Sequence, residues 1–101
     1  MILYNVTVNV APEIHDEWLI WMRNEHIPEV LGTGLFVAHK MLRLLTEAEN
    51  DGSTYAMQYF LNDLDDFETY RIEYGPKLQA KSFEKFGDKM LAFRTLLEVV
   101  E

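Results

Sequence analysis

From Ile2 to Val10 every second side chain is apolar or aromatic (Ile2, Tyr4, Val6, Val8, Val10), and Leu3, Asn5, Thr7 and Asn9 fill the positions between them. Successive side chains of a β-strand point to opposite faces, so this segment reads as a strand with one greasy face and one partly polar face. A sheet face of that kind has to be buried under a second layer. The segments after this strand, which must supply that layer, therefore decide the fold.

Ala11-Pro12 breaks the alternation, and from Glu13 the spacing becomes helical. Ile14, Trp18, Trp21, Met22 and Glu25 fall in one broad arc, with Glu13, Asp16 and Glu17 at the end where the helix dipole favours acids. Pro28 predicts an end or kink near His26 and a further short turn through Leu31. Gly32 and Gly34 then stop it. Leu35 to Leu45 reads as one long strand, bulged where alternation fails at Lys40-Met41, and Asp51-Gly52 reads as a hairpin turn. Thr54 to Leu61 alternates again, with Tyr55, Met57, Tyr59 and Leu61 on one side. Asn62 or Asp63 caps a second helix carrying Leu64, Phe67, Tyr70 and Ile72, which Gly75-Pro76 interrupts before a further helical segment from Leu78 to Phe86. The last strand, Lys89 to Val100, divides into Leu91, Phe93, Leu97 and Val99 on the core side and Ala92, Arg94, Leu96 and Glu98 on the other.

The order is β-α-β-β-α-β. It predicts a single α+β unit over residues 1–101, a ferredoxin-like sandwich whose four-stranded antiparallel sheet carries its helices on one face. The opposite face, with Leu3, Ala56, Phe60, Ala92 and Leu96, is more apolar than a monomer normally exposes, which predicts a homodimer through that face.

Composition narrows the partners. Nine basic against 17 acidic residues give a net charge of -8, which disfavours nucleic acid and anionic membranes. The absence of cysteine removes disulfides and thiolate chemistry, and the start lacks the features of a secretory signal. A cytoplasmic protein is the expectation.

The candidate site residues are Asn5, Thr7, Asn9, Gln58 and Arg94. Alternation puts all five on the sheet face away from the helices, where a small-molecule pocket or a polar dimer interface could use them. His26 and His39 are the candidate bases. His39 and Arg43 share a strand face and could hold a carboxylate; pairing with the abundant acidic residues is the plainer reading. Trp18, Trp21 and Met22 are at the spacing of a core stripe. His15 and His26, about 16 Å apart along a helix, cannot chelate one ion; no metal or cofactor is expected.

Two stretches, MILYNVTVNV running into HDEWLIWM and HIPEVLGTGLF, and MLAFRTLLEVV near the end, resemble a bacterial family of about this length known only as a domain of unknown function. More loosely, the pattern is similar to the dimeric α/β-barrel superfamily, in which two ferredoxin-like protomers pack sheet to sheet. Its members include monooxygenases of the antibiotic-biosynthesis type, haem-degrading enzymes and muconolactone isomerases. The residue pattern of the haem-degrading members is not carried over, because the tryptophans here lie on the first helix. The resemblance implies a small organic ligand between the sheets of a dimer. It also admits a cofactor-free oxygenase or isomerase, with His39 or His26 as base and Arg94 or Asn5 steadying an oxyanion, or a purely structural or protein-interaction module.

Overall fold

The computed structural model describes residues 1–46 and 50–101. Four strands, β1 (Ile2–Val10), β2 (Ala38–Arg43), β3 (Ser53–Leu61) and β4 (Met90–Glu98), form one sheet in the order β2-β3-β1-β4. All three pairings are antiparallel, and β1, the most regularly alternating segment, is central. Helices α1 (His15–Trp21), α2 (Ile27–Leu31), α3 (Leu64–Glu73) and α4 (Gly75–Phe86) connect the strands and cover one face. The core gathers where they meet Tyr4, Val8, Val10, Tyr55, Met57, Tyr59 and Leu61, with Trp18 and Val30 wholly enclosed. Lys81–Glu29 at 2.8 Å and Lys85–Glu17 at 3.5 Å tie α4 to the first helical layer.

Several expectations are met. Asp63 caps α3, its Oδ1 accepting from the Asp66 N–H at 2.9 Å. Gly87 closes α4 with a positive φ of 59°, a conformation side chains disfavour.

The further short turn expected through Leu31 forms as α2. Others are corrected or narrowed. At His26 the helical run widens instead of ending: a 3-10 turn (Pro12–Ile14) leads into α1, and a π-helical turn (Met22–His26) joins α1 to α2. The Ile27 N–H reaches back five residues to the Met22 carbonyl. Pro28 has no N–H to give and its ring crowds the carbonyl four residues earlier, so a widened turn just before it lets the helix go on. Strand β2 is shorter than Leu35–Leu45 and has no bulge; its register runs unbroken from Ala38 opposite Phe60 to Arg43 opposite Tyr55. The hairpin expected around Asp51-Gly52 does join the antiparallel pair β2 and β3, through a connection longer than a two-residue turn; residues 47–49, part of the expected turn, lie outside the described ones. Gly52 has no positive φ. It is there for close approach, since a Cβ would sit 2.7–2.8 Å from Asn9, Asn50 and the Val10 carbonyl.

The correction with most consequence concerns β4. Val6 faces Arg94, Val8 faces Ala92 and Val10 faces Met90, and directly opposed residues share a sheet face. Ala92, Arg94 and Leu96 therefore lie on the helix side, while Leu91, Phe93 and Leu97 point outward. Leu91 and Phe93 keep 60% and 65% of their surface exposed. Both sides of this edge strand are rich in apolar residues, so its own pattern gives no orientation; the pairing with β1 supplies it.

Candidate functional site

Four of the five expected ligand residues remain on the outer face, where three of them are hydrogen-bonded to neighbouring side chains. Asn5 Nδ2 donates to Thr7 Oγ1 at 3.0 Å, and Asn9 Nδ2 donates to Thr54 Oγ1 at 3.0 Å. Asn9 and Asn50 also exchange amide hydrogen bonds at 3.2 and 3.3 Å. Gln58 sits in register between Asn5 and Lys40.

Arg94 belongs to a different assembly. With the sheet register set by β1, it lies at the edge of a cavity between sheet and helices, shared with Tyr4, Trp21, His26, Tyr59 and Tyr70. The cavity measures about 40 Å³, and Met22, Met57 and Val8 give it apolar walls. Arg94 and Gln79 are exposed, so they mark the mouth. Arg94 takes part in no ion pair among the described residues.

His26 enters this space from the π-helical turn. In a regular α-helix residues five apart point about 140° from each other, whereas here Trp21 and His26 stack, with ring centroids 4.8 Å apart and planes 25° from parallel. The indole shields one face of the imidazole. Burial lowers the His26 pKa to about 4; Glu29 opposes the shift, and the cationic Arg94 and Lys81 reinforce it. The ring is therefore neutral across the physiological range, and it takes up a proton there only where an anion formed beside it offsets the cost of burying the charge. Between the ordinary histidine value and 4 the unfolded chain takes up this proton before the native state does, so stability falls as the pH drops through that window. Glu25, the neighbour considered as an acid–base partner, is exposed.

The hydroxyls are the other half of the site. Burial raises the pKa of Tyr4, Tyr59 and Tyr70, with the nearby Arg94 guanidinium partly offsetting this for Tyr4 and Tyr70. All three are hydrogen-bond donors at neutral pH. The Tyr59 hydroxyl is buried and has no partner among the described residues, an arrangement that costs about 1–3 kcal/mol unless something at the cavity accepts from it. One neutral base, one cation and three phenols thus meet at a pocket with apolar walls. Sequence reasoning missed Tyr59, Tyr70 and Gln79; the available signal was polar-tipped tyrosines on faces otherwise assigned to the core.

His39 lies elsewhere, on the helix-side face of the β2 edge with Arg43, as the alternation implied. It does not line the same cavity as His26. Among the described residues no group of His, Asp and Glu is arranged to hold a metal ion, and no helix is long and apolar enough to cross a membrane.

Four antiparallel strands with the helices on one face make this a ferredoxin-like α+β protein. Three solved structures share that architecture: HapK from Hahella chejuensis (TM-score 0.72, 13% identity, covering 99% of this chain and 93% of that one); a dimeric ferredoxin-like protein from an uncultured marine organism (0.69, 12%, 99% and 95%); and an ethyl tert-butyl ether (EthD) family protein from Bacillus halodurans (0.68, 18%, 99% and 100%). At these identities the likeness is one of fold. The chain itself belongs to the family described as a domain of unknown function (DUF4286), whose sequence profile matches residues 1–100. No functionally curated protein matches it in sequence.

Proposed function

We propose that this protein is a homodimer that binds a small, weakly acidic organic molecule in the sheet–helix cavity of each protomer and moves a proton on it. The observation that carries the reading is the convergence of neutral His26 and cationic Arg94 on a cavity where the buried Tyr59 hydroxyl lacks a partner among the described residues. His26 takes the proton from an acidic C–H or O–H. Arg94 and the tyrosine hydroxyls stabilise the enolate or phenolate that remains, and His26 returns the proton at the same or a neighbouring atom. The cavity admits only a few atoms, so the acidic end of the ligand enters and the rest lies across the mouth beside Gln79. The same anion is the first intermediate of a cofactor-free oxygenase, which consumption of dioxygen would distinguish.

The outer face supports self-association, because Phe93, Leu91, Leu97, Leu42, Phe60 and Leu3 form one apolar surface there. One of the structural neighbours is itself named as dimeric. The polar set Asn5, Thr7, Asn9 and Gln58 lies within that surface and is assigned to the interface between copies.

The test uses a panel of small 1,3-dicarbonyls and phenols. Binding is read from tryptophan fluorescence, since Trp21 lines the cavity, and proton transfer from deuterium exchange in heavy water by NMR. Arg94→Gln should weaken binding about tenfold or more through loss of a charged hydrogen bond. His26→Gln should leave affinity within a few-fold and slow exchange about a hundredfold. Failure of every compound to bind, or binding indifferent to both substitutions, contradicts the proposal and leaves a structural or interaction module as the better account.

A further inference from the structure

The opposite edge of the helix side holds a second concavity, separate from the cavity of His26 and Arg94. It is a cleft of about 550 Å³ whose floor is Leu19, Ile27 and Met41 and whose rim carries Arg23, His39 and Arg43. That volume is in the range of small-molecule sites. The fold assembles it from distant segments: Arg23 extends from the π-helical turn, and His39 and Arg43 stand two rungs apart along the face of β2, about 13 Å from one another.

The charge of this cleft runs against that of the whole. The chain carries -8 overall, yet among the described residues none that lines the cleft is acidic. Three other cations, Arg71, Lys81 and Lys85, are each paired with a carboxylate. Arg23 and Arg43 are in no ion pair among the described residues. Two of the four arginines therefore line one cleft with no carboxylate partner among the described residues.

Arg43 is also held in place. Its guanidinium lies 5.8 Å from the centre of the Tyr55 ring and donates to Ser53 Oγ at 3.3 Å. Tyr55 in turn has its hydroxyl fixed against His15 Nε2 at 2.6 Å. An arginine serving only to neutralise a surface has no need of a fixed planar orientation. One that receives an oxyanion in fork geometry gains from it, because less freedom is lost on binding.

We infer that this cleft is a second ligand site, for a small organic molecule bearing a doubly charged oxyanion, either a phosphate monoester or a dicarboxylate. The anionic group lies against Arg23 and Arg43, and the organic part rests on Leu19, Ile27 and Met41. An acidic protein with such a cleft admits dianions at one place and repels them elsewhere. The inference does not rest on the proton-transfer reading, since the two sites share no charged residue.

Phenyl phosphate and phthalate serve as probes of the two oxyanion sources, and benzyl alcohol as a neutral control, each titrated into the ¹⁵N-labelled full chain. One or both dianions should give saturable amide shifts centred on Arg23, His39, Arg43 and Tyr55, with no such response to benzyl alcohol. Which dianion binds more tightly identifies the source. Arg23→Gln or Arg43→Gln should weaken binding at least tenfold, Arg43→Lys should recover part of it, and Arg94→Gln should change nothing. Both arginines are exposed, so the variants fold. No saturable shift with either dianion overturns the site, as does a shift that persists unchanged in Arg23→Gln and Arg43→Gln or is lost only in Arg94→Gln.

Discussion

Trp18→Ala is expected to cost about 4 kcal/mol of folding free energy, the range for removing a large aromatic from a packed core. For a protein of this size that corresponds to a fall in Tm of about 20 °C. Trp18 is the largest of the wholly enclosed side chains. Its ring lies 5.0 Å from Tyr55 on β3, and its Nε1–H donates to Met90 Sδ on β4 at 3.0 Å. One side chain thus joins α1 to the strands on either side of β1. Neighbours anchored in a sheet cannot collapse into the space it leaves, so both the transfer and the cavity contributions are lost. Urea and thermal unfolding followed by circular dichroism measure the change. A loss below about 1 kcal/mol would show that the core is organised around other residues.

Phe93→Glu is expected to turn the proposed homodimer into a monomer. Phe93 is 65% exposed in the protomer, so its replacement leaves the fold intact. In a two-fold, sheet-to-sheet dimer the substitution is present on both copies, and an unpaired carboxylate buried at each costs several kcal/mol. Association should weaken at least a thousandfold, equivalent to about 4 kcal/mol. Sedimentation velocity reads the result directly, and circular dichroism confirms that the monomer keeps its structure. A wild-type protein that sediments as a monomer, or a variant that sediments as the wild type does, contradicts sheet-to-sheet association.

The outcome for Phe93 depends on an orientation that could not be read from β4. Strands β1 and β3 were legible because polar and apolar residues alternate in them: Asn5, Thr7 and Asn9 against Tyr4, Val6 and Val8, and Gln58 against Met57 and Tyr59. The pairing of these strands is then set by matching their greasy faces. In β4, Leu91, Phe93 and Leu97 compete with Ala92 and Leu96, and the single charge, Arg94, looks misplaced on a core face. It is tolerated there because β4 is an edge strand whose helix-side face is only partly covered, so the guanidinium remains in contact with water at the cavity mouth.

The candidate site was legible in its parts and not in its assembly. His26 stood out as a possible base, but a helical wheel turns it away from Trp21, and only the π-helical turn brings the two rings together. That turn is a consequence of Pro28, whose effect on sequence grounds reads as a helix end or kink and does not specify a widened turn. The paired arginines of the second cleft were half visible, since His39 and Arg43 share a strand face by simple alternation; Arg23 joins them only through the packing of the helices on the sheet.

Proton transfer at this site requires a neutral His26 held in a shielded cavity beside a cation. Its imidazole pKa, obtained from the ring ¹³C and ¹⁵N shifts of the folded protein between acid and neutral pH, tests that requirement without any ligand. A midpoint near 4, with the ring still neutral at the ordinary histidine value, is the expected result, and Arg94→Gln should move the midpoint upward by removing a repelling charge. A midpoint near the ordinary value of about 6.5, unmoved by Arg94→Gln, would mean an imidazole open to water and would contradict the site.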